Sequence, residues 1–188
     1  MGRDEVKRRA VFLDRDGVLN RAEMRNGTPC PPSNLAEFNL LPGVHEACSD
    51  LREAGFLLIV VTNQPDVARG TQRREIIEGM NQFLAETLSL DLVKVCYHDE
   101  PDGCNCRKPK PGMLLEAAEE LGVDLPASFM IGDRWKDIEA GRLAGCKTIL
   151  IQSNYAERKA HAFDKEVDSL RTAADWILRT TSFQGEPE

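Results

Sequence analysis

The sequence of 188 residues contains no apolar run long enough to form a membrane-spanning helix. Its first residues, Met1–Arg9, are rich in charge and lack the apolar core of a secretory signal. The sequence also contains no internal repeat, long linker or low-complexity tract. From these absences we expect a protein with a cytoplasmic location and without a membrane partner.

Basic residues are in the minority, with 24 Lys and Arg against 31 Asp and Glu and a net charge of -7. Broad binding of nucleic acid requires a basic face on the protein, so we expect no nucleic-acid partner. A small anionic substrate remains compatible with the acidic balance, because a local cluster of cations can reverse the electric field inside one site.

The chain length and the hydrophobic fraction of 41% suit one soluble α/β domain. Apolar runs bounded by turn residues predict strands at Ala10–Leu13, Leu57–Thr62, Leu92–Tyr97, Phe129–Ile131 and Thr148–Ile151. Apolar residues at helical spacing predict helices at Val44–Ala54, Arg73–Leu88, Gly112–Leu121, Lys136–Leu143 and Leu170–Arg179. This alternation of strands and helices predicts a doubly wound, Rossmann-like parallel sheet.

The domain organisation is predicted to be simple. We assign residues 1–181 to a single domain and expect residues 182–188 to form a disordered tail. The segment Arg21–Asn39 contains several prolines and is predicted to be an irregular loop. No inserted stretch is long enough for a separate cap domain, and we expect the protein to be a monomer.

Acidic residues follow two of the predicted strands. Asp14 and Asp16 come directly after the first strand, while Asp133 follows the fourth strand and Asp137 lies one helical turn later. Ligands of parallel sheets bind outside the carboxyl ends of the strands, and close carboxylates repel unless a cation or a proton offsets their charge. A single Asp at a strand end is often a helix cap. The whole set instead predicts a magnesium site, with Asp137 in a supporting position.

Polar and basic residues elsewhere suit the binding of a phosphoryl group. Thr62 and Asn63 end the second predicted strand and can bind phosphoryl oxygens, although such residues also form turns and helix caps. Arg107 and Lys108 precede a predicted helix, where a fixed cation can neutralise developing charge. The alternative for that pair is a solvated basic loop. Arg69 lies on the loop that follows Asn63, and it either contacts the substrate or caps the next helix.

These motifs resemble, in type and order, those of the haloacid dehalogenase superfamily of phosphatases over residues 11–152: Asp14-x-Asp16-Gly17-Val18, Thr62-Asn63, Lys108 and Gly132-Asp133-x-x-x-Asp137. The resemblance implies a magnesium-dependent phosphomonoester hydrolase that forms an aspartyl-phosphate intermediate. It implies that Asp14 is the nucleophile and Asp16 the general acid/base. It also implies that Thr62 and Lys108 bind the transferring phosphoryl group. Magnesium would be held by Asp14, by Asp133 and by the backbone carbonyl of Asp16.

Three of the six cysteines crowd into one short segment together with a histidine. The residues Cys96, His98, Cys104 and Cys106 make a Cys₃His set, which completes the coordination of zinc and is typical of a structural site. The alternative is three reduced thiols beside an exposed His98, and a disulfide does not suit the cytosol. We therefore predict a bound zinc ion.

The zinc loop runs into Arg107-Lys108-Pro109, and in this it resembles the heptose-1,7-bisphosphate 7-phosphatases and the related histidinol-phosphate phosphatases, which lack a cap. This resemblance implies a small phosphorylated metabolite as the substrate, with a heptose bisphosphate first and histidinol phosphate second. We assign Asn63, Arg69 and Arg107 as residues that bind the substrate.

The sequence departs from the heptose enzymes at several places. Its stretch from His98 to Cys104 is shorter, Pro65-Asp66 stands where Ser-Gly is usual, and Arg134 stands where Lys is common.

An alternative function of another class is a zinc-stabilised binding protein that keeps the fold but has no turnover. The presence of every residue that the phosphatase chemistry needs favours an enzyme.

Overall fold

The computed structural model describes residues 7–25 and 28–182. Within this part of the chain, short apolar segments form a central sheet. The strands are β1 Ala10–Leu13, β2 Glu23–Arg25, β3 Thr28–Cys30, β4 Leu57–Asn63, β5 Leu92–Cys96, β6 Phe129–Gly132, β7 Lys147–Ile151 and β8 Lys165–Val167. Six of them form a sheet in the order β5-β4-β1-β6-β7-β8, and every neighbouring pair is parallel. The predicted doubly wound sheet is confirmed.

In the described part of the chain, five α-helices cover the two faces of this sheet: α1 Val44–Glu53, α2 Arg74–Leu88, α3 Gly112–Leu121, α4 Trp135–Ala144 and α5 Leu170–Ser182. Each lies within a few residues of a predicted helix. Within the described residues, none of them has the length and apolar character needed to cross a membrane. Ser182 ends α5, and the rest of the predicted tail lies outside the described residues.

The core divides into one apolar layer on each side of the sheet, because successive side chains of a strand point to opposite faces. In β1, Val11 and Leu13 pack with the buried residues of α1, α2 and α5. Ala10 and Phe12 pack instead with those of α3 and α4. All four β1 side chains are fully buried, which explains why this strand is a continuous apolar run rather than an alternating one.

Two parts of the structure differ from the sequence-based expectation. The segment predicted to be an irregular loop contains the antiparallel hairpin β2–β3, in which Glu23 pairs with Cys30 and Met24 with Pro29. The prediction was wrong there because neither strand shows alternating apolar residues. Strand β8 was also missed, because two of its three residues, Lys165 and Glu166, are charged and exposed. An edge strand tolerates such charges, which protect it from further pairing.

The topology places β1 in the interior of the sheet, between β4 and β6. Because the three strands are parallel, their carboxyl ends meet at one edge. Asp14 follows β1 directly, Thr62 and Asn63 end β4, and Asp133 follows β6. The motif residues that are far apart in the sequence are therefore brought to the same edge.

Candidate active site

Lys108 lies at the centre of the site and is only 2% exposed. Its Nζ donates to Asp14 Oδ1 at 2.7 Å and to the Val61 carbonyl oxygen at 2.7 Å. It also forms an ion pair with Asp137 Oδ1 at 2.6 Å. All three ammonium protons thus have a partner, so the alternative of a solvated basic loop does not hold for Lys108.

Three buried carboxylates surround this one ammonium group. One oxygen from each of Asp14, Asp133 and Asp137 lies within 4.8 Å of the others. The fold brings them together tightly, since a Cβ on Gly132 would overlap the Asp137 side chain. Three carboxylates against one lysine leave an excess of negative charge in a space that water barely reaches.

The excess negative charge and the burial raise the pKa values of two of these carboxylates. Burial, together with repulsion from Asp137 and Asp16, raises the pKa of Asp14 to about 6, although Lys108 opposes the shift. Burial and the charges of Asp14 and Asp137 raise the pKa of Asp133 well above its ordinary value. Asp133 Oδ1 is moreover buried and has no hydrogen-bond partner in the described part of the chain. A hard divalent cation fits this donor set, because it prefers oxygen ligands and would offset the surplus charge.

Asp16 lies beside this cluster and is held by donors from several elements. It accepts hydrogen bonds from Arg15 at 2.9 Å, from Asn20 Nδ2 at 2.9 Å and from Gln64 Nε2 at 2.8 Å. Arg15 is fully buried, and a second nitrogen of its guanidinium group, Nη1, donates to Asn81 Oδ1 at 2.8 Å. The Asp16 carboxylate is therefore fixed next to the cluster.

Thr62 and Asn63 occupy the last two positions of β4 and do not cap a helix. Thr62 is 1% exposed, and its Oγ1 accepts from Gln64 Nε2 at 2.9 Å. Asn63 Nδ2 donates to the Lys108 carbonyl oxygen at 3.0 Å, while Asn63 Oδ1 accepts from the Lys108 backbone N–H at 3.1 Å. The Asn63 side chain thus anchors the backbone that carries Lys108.

A cavity of about 210 Å³ opens from the carboxylates toward the surface. Arg69 and Arg107 line it together with Asp14, Thr62 and Asn63. Arg69 does not cap α2, whose N-cap is Arg73.

Acidic side chains hold both arginines in place. Arg69 makes two bonds to Asp99, at 2.6 and 2.8 Å, and this guanidinium lowers the pKa of Asp99 to about 2. Arg107 donates to the His98 carbonyl oxygen at 3.1 Å and pairs with Asp99 at 3.6 Å. The two guanidinium groups are thereby positioned around the cavity.

The predicted zinc ligands also converge. One ligand atom from each of Cys96, His98, Cys104 and Cys106 lies within 4.8 Å of the others. Cys96 Sγ is 3.8 Å from Cys104 Sγ and 3.3 Å from Cys106 Sγ, and His98 Nδ1 is 3.3 Å from Cys106 Sγ. Tetrahedral zinc–thiolate coordination separates its sulfur atoms by roughly 3.8 Å. The cysteines form no disulfide, and the cluster geometry fits zinc.

Sequence reasoning missed several residues that contact the site. Gln64 donates hydrogen bonds to both Asp16 and Thr62. Its position directly after Thr62-Asn63 indicated that it would lie at the site. Arg15 gave another signal in the sequence, because a charged residue two positions after a buried strand requires buried partners. Tyr155, whose hydroxyl donates to Asp133 Oδ2 at 2.6 Å, lies on a segment without any motif and gave no such signal.

Comparison with known proteins places this arrangement in a family. A sequence model described as HAD-hydrolase-like matches residues 105–173. The D-glycero-beta-D-manno-heptose-1,7-bisphosphate 7-phosphatase of Yersinia pestis is 38% identical over 185 residues, which cover 91% of this chain and 90% of the relative. The enzyme of the same name from Escherichia coli K12 is 36% identical over 184 residues, covering 91% and 88%.

A solved structure agrees with these relatives. The D,D-heptose 1,7-bisphosphate phosphatase from B. bronchiseptica, complexed with magnesium and phosphate, superimposes with a TM-score of 0.76 at 27% identity. The match covers 92% of this chain and 99% of that one. The chain is therefore a phosphatase that belongs to the same family as these heptose-bisphosphate phosphatases, within the haloacid dehalogenase superfamily.

Proposed function

We propose that this phosphatase removes the 7-phosphate of D-glycero-D-manno-heptose 1,7-bisphosphate through an aspartyl-phosphate on Asp14. The observation that carries the proposal is the buried cluster in which Lys108 contacts both Asp14 and Asp137 at the carboxyl end of β1. Relatives that cover nine-tenths of the chain and bear the name of this activity support the choice of substrate.

The chemistry follows from the groups around Asp14. The Asp14 carboxylate attacks phosphorus, the bond from phosphorus to the ester oxygen breaks, and Asp16 gives its proton to the leaving alkoxide. Asp16 then takes a proton from water, whose oxygen attacks the same phosphorus and releases Asp14 and inorganic phosphate. Lys108 and Thr62 bind the phosphoryl oxygens during both displacements.

Magnesium and zinc belong to the same proposal. Magnesium would be held by Asp14, by Asp133 and by the backbone carbonyl of Asp16. Asp137 supports the site through its ion pair with Lys108. When bound, the ion supplies positive charge that stabilises the phosphoryl oxygens. The Cys96, His98, Cys104 and Cys106 cluster would hold a structural zinc ion beside Arg107.

The charged groups around the cavity distinguish between the two substrates inferred from the sequence. A heptose bisphosphate carries a second phosphate, which the guanidinium group of Arg107 can bind in a bidentate manner. Histidinol phosphate carries a cationic amine instead. Asp99 and Glu100 would attract that amine if they were free, but Asp99 pairs with Arg69 and Glu100 pairs with Lys136 at 3.2 Å. The charge arrangement therefore favours the bisphosphate.

A comparison of kcat/KM for the two substrates in magnesium tests the proposal. We expect the heptose bisphosphate to be preferred, and we expect Arg107→Ala to reduce that preference by about tenfold or more. Arg142→Ala serves as a matched control, because Arg142 is an exposed residue of α4 that pairs only with Glu139 among the described ion pairs. A wild-type preference for histidinol phosphate would overturn the substrate. An unchanged preference in Arg107→Ala would overturn the role of Arg107.

We further propose that the activity resides in one domain, residues 1–181, that acts as a monomer in the cytoplasm. The continuous six-stranded sheet supports the assignment to one domain. Light scattering of the purified chain would test the monomeric state, and a mass of two chains would contradict it.

A further inference from the structure

Tyr155 contacts the carboxylate cluster from a part of the chain that carries no sequence motif. Its hydroxyl donates a 2.6 Å hydrogen bond to Asp133 Oδ2. Asp133 is 3% exposed, and its other oxygen, Oδ1, is buried with no hydrogen-bond partner in residues 7–25 and 28–182. The phenol thus occupies one oxygen of this carboxylate and leaves the other free. A carboxylate held in this way offers a cation one defined oxygen rather than two.

The turn after Asp16 encloses this pair of side chains. Gly17 has a φ of 96°, a conformation that favours glycine. A Cβ at this position would overlap the Asp133 carboxylate and would come within 2.9 Å of the Tyr155 hydroxyl oxygen. The Gly17 backbone therefore packs directly on the hydrogen-bonded pair and limits the rotation of both side chains.

The segment that carries Tyr155, residues 152–158, contacts the three consecutive residues that lead from β6 into α4. Ser153 Oγ donates to the Asp133 carbonyl oxygen at 2.9 Å. Glu157 forms an ion pair with Arg134, and the Arg158 guanidinium lies 4.6 Å from the centre of the Trp135 ring. These contacts fix Tyr155 relative to Asp133.

We propose that Tyr155 is a positioning residue for the divalent cation, because it turns Asp133 so that Oδ1 is the oxygen presented to the ion. This inference rests on the proposed function, since it takes Asp133 as a magnesium ligand. A hydrogen bond from a neighbouring group that orients a metal ligand typically contributes about 10- to 100-fold in metal affinity. Removing the Tyr155 hydroxyl should therefore weaken magnesium binding without removing a ligand.

Magnesium titration of the full chain by calorimetry, without substrate, tests this inference. We expect Tyr155→Phe to raise the Kd for magnesium by about tenfold or more. The matched control is Tyr97→Phe, since Tyr97 and Tyr155 are the two tyrosines of the chain and Tyr97 packs against Arg74 and the core. The Tyr97→Phe variant should bind magnesium within about twofold of wild type.

The outcomes separate the two proposals. Wild-type protein that binds no magnesium would overturn the proposed magnesium site and, with it, this role of Tyr155. Wild-type protein that binds magnesium with the same Kd as Tyr155→Phe would overturn the role of Tyr155 alone.

A second measurement does not depend on the folding of Tyr155→Phe. Protein labelled with 3-fluorotyrosine should give two fluorine resonances, which a Tyr97→Phe sample assigns. We expect the Tyr155 resonance to shift on saturation with magnesium, because the partner of its hydroxyl becomes a metal ligand, while the Tyr97 resonance stays in place. A Tyr155 resonance that does not respond to saturating magnesium would overturn the inference.

Discussion

The two clusters of candidate metal ligands are built on different parts of the fold. Asp14 and Asp133 directly follow interior strands of the sheet, and Lys108 already neutralises part of their charge. The zinc cluster instead has one buried ligand, Cys96, at the end of the edge strand β5, and its other three ligands lie on the segment that follows, where His98 is exposed. A site at the ends of packed strands takes its geometry from the core, whereas a site carried mainly by a loop depends on its metal for order. Each prediction below tests this difference.

The largest effect is expected for Asp14→Asn. An amide cannot attack phosphorus, so kcat should fall by at least about a thousandfold. The fold should survive, because β1 and its packing are unchanged. Steady-state kinetics and circular dichroism measure the two quantities. A variant that keeps activity within about tenfold of wild type would disprove the assignment of the nucleophile.

The second prediction concerns pH and distinguishes the strand-based site from the loop. The pKa of Asp14 is raised to about 6, so the folded metal-free protein binds this proton more tightly than the unfolded chain does. The contribution of Asp14 to stability is therefore lost as pH rises from about 4 to about 6, by about 3 kcal/mol. Added magnesium should reduce the loss, because it stabilises the ionised carboxylate.

Chemical denaturation of metal-free protein at several pH values measures this effect, and Asp14→Asn provides the baseline. The free energy of unfolding of wild type should fall relative to Asp14→Asn across the window. If the two proteins show the same pH dependence, the pKa of Asp14 is not raised by burial and by its acidic neighbours.

A smaller effect on activity is expected at the zinc loop. Cys104→Ala should abolish stoichiometric zinc and lower kcat/KM by about tenfold, because the loop that carries Arg107 becomes less ordered. Magnesium affinity should change little, since the carboxylates belong to the sheet. Cys48→Ala is the matched control, as Cys48 is buried in the core layer on the other side of the sheet from Cys96. Elemental analysis that finds well under one zinc per wild-type chain would contradict the assignment.

The sequence predicted most of the sheet because its interior strands are continuous apolar runs. Val11 and Phe12 face opposite layers, yet both are fully buried, so periodicity was not needed to detect β1. The motif residues could be placed together because parallel strands end at one edge. Strand β8 could not be predicted, since Lys165 and Glu166 resemble a surface loop and acquire strand geometry by pairing with β7.

The contacts that shape the site were less predictable than its ligands. Asn63 was expected to bind substrate, and in the structure its side-chain amide forms two hydrogen bonds with the Lys108 backbone. Tyr155 is 22 positions from Asp133 along the chain, and no local pattern links the two. Such long-range hydrogen bonds depend on where whole segments pack, which spacing and composition do not determine.

The stereochemical course at phosphorus tests the covalent mechanism most directly. A substrate whose transferred group is an isotopically chiral thiophosphate would be hydrolysed in isotopically labelled water, and the configuration of the product would be determined. Two successive in-line displacements, first by Asp14 and then by water, predict retention of configuration. Inversion would show a single displacement by water and would contradict an aspartyl-phosphate on Asp14.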